Sequence, residues 1–150
     1  MGKQRGMHPK EEGLIYNEIR EKIENLIENF LNGSHKDRAI ILKDTLLKEV
    51  VEPMSRDKNK PSKHQIRRYY HHFLEILEDS SEVVMVKTAM LKVYINYDAK
   101  RKQIKSEHFR AFIEGIVDSA LSEEDLNNIL KKLRNAQLLF EALVGYTANF

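Results

Sequence analysis

Basic side chains cluster in one stretch that has the spacing of a helix. Six cationic or titratable residues follow Ser62: Lys63, His64, Arg67, Arg68, His71 and His72. At about 100° per residue they cover one half of a helix, and apolar and aromatic residues fill the other half. No acid precedes Glu75 in this stretch. Because cations near a helix N-terminus oppose the helix dipole, the pattern indicates a surface that neutralises a phosphate backbone.

A second basic cluster lies further along the chain. Its members are Lys87, Lys92, Lys100, Arg101, Lys102 and Lys105. Residues 53–105 carry a net charge of +6, whereas residues 1–52 carry −1 and residues 106–150 carry −3. A localised positive surplus attracts polyanions without making the whole protein adhesive. The alternative interpretation of such a run is a solvated lysine-rich surface.

Four tyrosines accompany the basic clusters in sequence: Tyr69, Tyr70, Tyr94 and Tyr97. Tyrosine rings near cations could stack on nucleic-acid bases. Aromatic residues at helical spacing are more often part of a hydrophobic core. The sequence therefore leaves both roles open for them.

Motifs for catalysis or metal binding are absent from the sequence. It contains no Gly-rich phosphate loop, no H-E-x-x-H and no G-x-S-x-G. His71 and Glu75 are four residues apart and could share a metal, but this spacing is typical of a pair on a helix surface. We therefore predict no catalytic residue, no metal and no cofactor.

One ribonuclease-like spacing stays as an alternative. Some all-helical ribonucleases pair Arg and His as R-x4-6-H, and both Arg67–His72 and Arg101–His108 fit. The spacing is loose enough that chance matches are expected. A non-enzymatic protein is the main prediction, and a dimeric Arg–His ribonuclease and a helical DNA-binding regulator are the alternatives.

Apolar residues recur at spacings of three and four along most of the chain, which predicts an all-α protein. We expect a single compact bundle of five or six helices. Residues 1–13 are interpreted as a flexible basic head, residues 14–150 as the helical bundle domain, and residues 53–62 as a mobile polar loop. The helix before this loop is predicted to end at Pro53.

Polar side chains mark the expected starts of the later helices. These starts are Ser34, the capping boxes Ser62–Gln65 and Asp79–Glu82, then Ser106, and the run Ser122–Asp125, with Ser122 expected to begin the last helix. The helix that follows Glu82 is predicted to carry an apolar stripe. Its members are Val83, Val86, Met90, Val93, Tyr94 and Tyr97.

Composition sets the expected environment. The chain has 150 residues, 41% of them hydrophobic, and contains no cysteine. No stretch approaches the roughly 18 apolar residues of a membrane span, and the N-terminal residues are too polar for a signal peptide. We therefore expect a soluble cytoplasmic protein that does not bind membranes.

Three segments, taken together, resemble a known family. The stretch Ser62–Tyr70 resembles the start of the basic helix in the small subunit of type III-A CRISPR (Csm) effector complexes. Residues 91–101 resemble that family's Leu-Lys…Tyr…Arg segment, and residues 140–146 its C-terminal Phe-Glu-Ala…Val-Ala-Tyr motif. The chain departs from the family at Asn96, Gly145 and Thr147, and residues 1–59 contribute little to the resemblance.

The resemblance implies a non-catalytic RNA-binding subunit that acts in antiviral defence. Its expected partners are guide RNA and target RNA, other CRISPR effector subunits and additional copies of itself. Arg67, Arg68 and Arg101 match basic positions of the family's motifs. Helix geometry adds Lys63 and Lys100 to the candidate RNA-binding residues. Contacts to duplex RNA of this kind involve phosphates and 2′-hydroxyls, so no base-specific residue is expected.

The C-terminal residues form a further apolar surface: Phe140, Leu143, Val144, Tyr146 and Phe150. A chain terminus usually frays unless something holds it. This surface is expected to dock either back onto the bundle or onto another copy. In the second case the free protein would be a mixture of monomer and dimer.

Overall fold

The computed structural model describes residues 9–150, with side chains from Tyr16 onward. Within that range the chain forms six helices and no strand. They are α1 (Pro9–Asn32), α2 (residues 35–55), α3 (Lys63–Leu77), α4 (Val83–Lys100), α5 (Glu107–Leu121) and α6 (Leu126–Tyr146). The predicted all-α bundle is confirmed. Most of the predicted flexible head lies outside the described residues, and α1 already includes residues 9–13.

Helix α5 lies at the centre of the bundle. Helices α1, α4 and α6 all pack against it, and nearly all of its side chains from Phe109 to Val117 are buried. Gly115 lies where α1 and α5 approach most closely, because a Cβ there would be 2.6 Å from Ile27 Cδ1. Removing these apolar residues from water is the main driving force for assembling the bundle.

Helix α3 packs between α4 and α6. On one side, the Tyr70 and Phe73 rings lie 5.1 and 5.7 Å from the Phe140 ring of α6. Tyr69 packs edge-on against Phe109 of α5, with ring centroids 5.6 Å apart. These aromatic contacts bury the apolar half of α3, and its basic half consequently faces outward.

Three of the predicted helix starts are confirmed. Ser34 forms a capping box with Asp37, and Ser62 forms one with Gln65. The Ser106 hydroxyl accepts a hydrogen bond from the Phe109 amide at the start of α5. Each side chain satisfies a backbone donor that has no partner within the helix.

Two predicted caps are wrong. Asp79 does not cap α4; its carboxylate accepts hydrogen bonds from the Ser81 amide and hydroxyl in a turn that precedes the helix. Ser122 ends α5 instead of starting α6, because its hydroxyl donates to the Ser119 carbonyl. Short polar side chains satisfy turns and helix ends as readily as helix starts, which explains both errors.

Helix α2 continues past Pro53 to Ser55, so the predicted end at Pro53 is wrong. Two π-helical turns, Ile41–Thr45 and Leu47–Val51, precede the proline. In a regular α-helix, proline crowds the carbonyl four residues earlier. The wider π-helical turn before Pro53 leaves room for its ring, and the helix continues.

The polar connection between α2 and α3 is therefore shorter than predicted and spans residues 56–62. It is tied to α5, because Asp57 Oδ2 lies 2.9 Å from His108 Nδ1 and accepts a hydrogen bond from Ser106. Pro61 is buried, and the Lys60 ammonium lies 5.0 Å from the centroid of the Phe150 ring. These contacts fix several points along the connection.

The apolar stripe that the sequence predicts for α4 lies on its exposed side. Val83, Val86 and Val93 are 50–65% exposed. The buried positions are Val84, Thr88, Leu91 and Ile95. Thr88 is tolerated in the core because its hydroxyl donates to the Val84 carbonyl. Both sides of α4 are apolar, so periodicity alone could not identify the buried one.

The C-terminal apolar residues dock back onto the bundle. Phe140 and Leu143 are fully buried, and Phe150 packs against the core. The Tyr146 hydroxyl donates a 2.7 Å hydrogen bond to the Leu42 carbonyl of α2. Phe140, Leu143 and Phe150 therefore pack within the molecule, whereas the Tyr146 side chain is 39% exposed. Within residues 9–150, no helix combines the length and the apolar character that crossing a membrane requires.

Candidate nucleic-acid interface

Two side-chain contacts hold the basic helix α3 against the C-terminal end of α4. The Arg68 guanidinium on α3 pairs with Asp98 on α4 at 2.9 Å. Gln65 on α3 donates a 2.7 Å hydrogen bond to the Gln103 carbonyl, which follows α4. The first half of α3 therefore lies beside the C-terminal end of α4. We use the name basic face for seven residues of α3 and of the C-terminal end of α4: Lys63, His64, Arg67, Arg68, His71, Lys100 and Arg101.

Three of the predicted RNA-binding residues have free charges. Lys63, Arg67 and Lys100 form no ion pair or hydrogen bond through their side chains with any residue that the structure describes. Arg67 and Lys100 are exposed, and Lys63 is half-buried in the first turn of α3. An unpaired cation in water can bind a phosphate without first giving up another partner.

The other two predicted residues, Arg68 and Arg101, are held in place. Arg68 is ion-paired with Asp98, and its guanidinium carbon lies 5.5 Å from the centroid of the Tyr69 ring. Arg101 donates to the Tyr97 hydroxyl at 2.7 Å, and its guanidinium carbon lies 5.3 Å from that ring's centroid. A fixed guanidinium loses less conformational entropy when it binds a phosphate.

An open groove of about 450 Å³ runs along the exposed side of α3. Its lining residues are His64, Arg67, Arg68, His71, His72 and Glu75. The one acid, Glu75, approaches His72 with an Nδ1–Oε1 distance of 3.6 Å. The rest of the groove is cationic or titratable, which suits an extended anion.

The structure places two lysines of the second cluster away from the basic face. Lys87 pairs with Asp79 at 3.3 Å, and Lys92 pairs with Asp118 of α5 at 2.8 Å. Of the six cations in that cluster, Lys100 and Arg101 belong to the basic face as defined above. The charge surplus of residues 53–105 is thus only partly concentrated on one surface.

The four tyrosines separate into two pairs. Tyr69 is buried and Tyr70 is half-buried against Phe140, so both have core positions. Tyr94 is 44% exposed and Tyr97 is 54% exposed. Only the α4 pair presents ring surface that a base could reach.

The Arg and His residues of the ribonuclease-like spacing have different environments. Arg67 and His72 both line the open groove on α3. His108 is bonded to Asp57 and is mostly buried, whereas Arg101 contacts Tyr97. No cluster of three His, Asp or Glu residues able to hold a metal occurs among the described residues. His71 does not contact Glu75; the neighbouring His72 does.

Sequence reasoning missed two residues that organise the basic face, Asp98 and Gln65. Asp98 accepts from both Arg68 and Tyr69, the latter at 2.5 Å. Burial, together with the hydrogen bond to Asp98, raises the pKa of Tyr69 above its ordinary value, so its hydroxyl stays protonated and continues to donate. The signal in the sequence was that Asp98 is the one acid between Lys87 and Lys105.

Comparisons with known proteins identify no relative: no protein-family model, no curated protein and no solved structure matches the chain.

Proposed function

We propose that this protein is a non-catalytic RNA-binding subunit of a type III-A CRISPR ribonucleoprotein. Its basic face would contact the backbone of the guide–target RNA duplex. The observation that carries the proposal is the set of free cations Lys63, Arg67 and Lys100 beside the fixed guanidinium groups of Arg68 and Arg101. Phosphate contacts of this kind give affinity without sequence preference.

The arrangement of the three family-like motifs supports the proposal. The first occupies the start of α3, the second ends α4 and the third ends α6. Arg68 joins the first motif to Asp98 of the second, and Tyr70 packs against Phe140 of the third. The three motifs therefore contact one another in the fold, as expected for segments that serve one function.

The proposed partners are guide RNA and target RNA, other effector subunits and further copies of this chain, with the cytoplasm as the proposed location. Most of the C-terminal surface packs within the molecule, and Tyr146 is 39% exposed. We assign contacts between copies to the exposed apolar stripe of α4. Its four aliphatic members are Val83, Val86, Met90 and Val93.

The first experiment measures binding to a labelled RNA duplex as a function of salt. With four to six phosphate contacts at about −0.7 to −0.9 each, log affinity should fall steeply with log salt concentration. The variant Arg67→Ala with Lys100→Ala removes two free cations without breaking an ion pair. We expect weaker binding to every sequence and a salt slope reduced by about 2.

The control is Arg134→Ala, which removes an exposed arginine of α6 outside the basic face. It should leave both affinity and slope unchanged. Absence of RNA binding, or a salt-independent affinity, would contradict the proposal. Stronger binding to the DNA duplex of the same sequence would instead favour the DNA-binding regulator.

The ribonuclease is the second candidate, because Arg67 and His72 line the same groove. The binding reactions decide between the two when they are also analysed for cleavage products. We expect intact RNA after incubation without added metal. Cleavage that disappears in His72→Ala would establish the enzyme and overturn the non-catalytic proposal.

A further inference from the structure

A small groove separates α3 from α4 next to the basic face. It has a volume of about 200 Å³. Arg68, Tyr69 and His72 line one side, and Tyr94, Tyr97 and Asp98 line the other. We call it the tyrosine groove. It combines aromatic rings, cations and a fixed carboxylate, and Arg68 is its one lining residue that the duplex contacts proposed above use.

The two α4 tyrosines project into solvent instead of packing in the core. About half of each side chain is exposed. The His72 ring lies 5.7 Å from the Tyr94 ring at an interplanar angle of 40°. The Arg101 guanidinium contacts Tyr97, as described above. Each exposed ring therefore has a titratable or cationic neighbour.

The floor of the tyrosine groove is rigid. Asp98 accepts hydrogen bonds from Arg68 at 2.9 Å and from Tyr69 at 2.5 Å, and both reach its Oδ2 atom. These bonds cross-link α3 to α4 and hold the groove open at a fixed width. The negative charge of Asp98 is balanced by Arg68, with which it forms an ion pair.

Exposed aromatic rings beside cations have the chemistry that binds unpaired nucleotides. A base stacks on the ring, and the adjacent phosphate is neutralised by the cation. Bases within a duplex are already stacked on each other and do not reach such rings. An apolar peptide partner is less favoured, because the Arg101 guanidinium, whose contact is the neutral Tyr97 side chain, would remain without a counter-charge.

We propose that the tyrosine groove binds unpaired RNA nucleotides, whose bases stack on Tyr94 and Tyr97 and whose phosphates contact Arg68 and Arg101. The inference rests on the proposed RNA-binding function and deepens it. It adds a site for single-stranded RNA, such as an unpaired end or a displaced nucleotide, beside the face that contacts the duplex.

The test compares a single-stranded RNA 12-mer with a blunt duplex of the same sequence. The proteins are the wild type, Tyr94→Ala with Tyr97→Ala, and Tyr94→Phe with Tyr97→Phe. Because stacking on one ring changes affinity by about tenfold, the double alanine variant should bind the single strand at least tenfold more weakly. Its affinity for the duplex should fall much less than its affinity for the single strand, because Arg101 keeps its charge when it loses its contact with Tyr97. The phenylalanine variant keeps the rings and should bind the single strand far more tightly than the alanine variant.

A fluorescent base gives a second readout. A 2-aminopurine in the middle of the single strand should change its emission on binding wild-type protein, and this change should be lost in the alanine variant. The altered side chains are exposed, and circular dichroism with thermal unfolding checks that the variants fold.

The outcomes separate this inference from the proposed function. Equal binding of the single strand by wild type and the double alanine variant would overturn the stacking site while leaving the duplex site standing. An equal loss for strand and duplex would also overturn it, since the rings would then not act through unpaired bases. No binding of either RNA by the wild type would overturn both proposals.

Discussion

Glu114 is a charged side chain with four hydrogen-bond partners, although it is only 2% exposed. It accepts hydrogen bonds from Arg20, Asn96 and Arg110, and Tyr16 donates to it at 3.2 Å. These partners lie on α1, α4 and α5, so the carboxylate joins three helices. Burial opposes its ionisation, but the hydrogen bonds and the two arginine charges hold the pKa of Glu114 below its ordinary value.

This network predicts the effect of Glu114→Gln. The substitution leaves Arg20 and Arg110 without their shared counter-charge and should lower the free energy of unfolding at neutral pH by about 2–3 kcal/mol. Urea unfolding followed by circular dichroism measures the change. Glu21→Gln, which alters an exposed glutamate of α1, is the control and should change stability by less than about 0.5 kcal/mol.

The same residue predicts a dependence on pH. At pH values well above 4.5, the ordinary pKa of a glutamate, Glu114 is ionised in both folded and unfolded chains. Its interactions then contribute fully to the free energy of unfolding. Below that value the unfolded chain takes up a proton first, so the contribution is lost as pH falls through the lowered pKa. The stability gap between wild type and Glu114→Gln should therefore narrow in acid; a constant gap would show that the charge does not matter.

Single residues also show how far sequence reasoning reaches. The cations at Lys63, Arg67 and Lys100 could be named because their spacing places them on the polar half of a helix. The pairing of Arg68 with Asp98 could not, because the two are 30 residues apart and meet only through the packing of α3 on α4. Local periodicity predicts which side a residue faces, and tertiary packing decides its partner.

At the scale of elements, the sequence predicts that the helices exist, and it predicts some of their starting residues. Ser34, Ser62 and Ser106 start helices as expected, because an apolar stripe follows each at once. Two other polar runs, around Asp79 and Ser122, serve turns and helix ends instead. The buried side of α4 was not predictable, because the valines and tyrosines on its exposed side are about as apolar as the leucine and isoleucine on its buried side.

Two glycines inside helices give a matched prediction. Gly115→Val places a branched side chain against Ile27, where even a Cβ would be 2.6 Å away, and should lower stability by about 1–3 kcal/mol. Gly145 in α6 has nothing within 4 Å of such a Cβ. Gly145→Ala should therefore be neutral or raise stability by up to about 1 kcal/mol through helix propensity. Thermal unfolding compares the two, and a destabilised Gly145→Ala would contradict the assignment of open space there.

At the scale of the whole molecule, the exposed stripe of α4 carries the prediction of self-association. Val83, Met90 and Tyr97 are seven residues apart, and Val86 and Val93 interleave with them, which is the spacing of a helix-pairing seam. The charges at its ends differ. Glu78 and Glu82 precede the seam, and Lys100 and Arg101 end it. An antiparallel pair of α4 helices related by a two-fold axis would therefore bring opposite charges together at both ends.

We accordingly expect the free protein to form a dimer through α4, in competition with RNA for Tyr97, Lys100 and Arg101. In light scattering across a concentration series, Val86→Glu should shift the protein to monomer, because it places a charge in the seam. Tyr146→Glu should instead lower stability without changing assembly, since the Tyr146 hydroxyl bonds within its own chain.

A charge swap tests the orientation of the two helices. Arg101→Glu should weaken the dimer, because residue 101 of one copy would then face Glu82 of the other with the same charge. Adding Glu82→Arg should restore the dimer, because residues 82 and 101 again carry opposite charges, and they face each other only in the antiparallel arrangement. A protein that stays monomeric at high concentration, or a double variant that stays as weak as Arg101→Glu, would rule out this pairing.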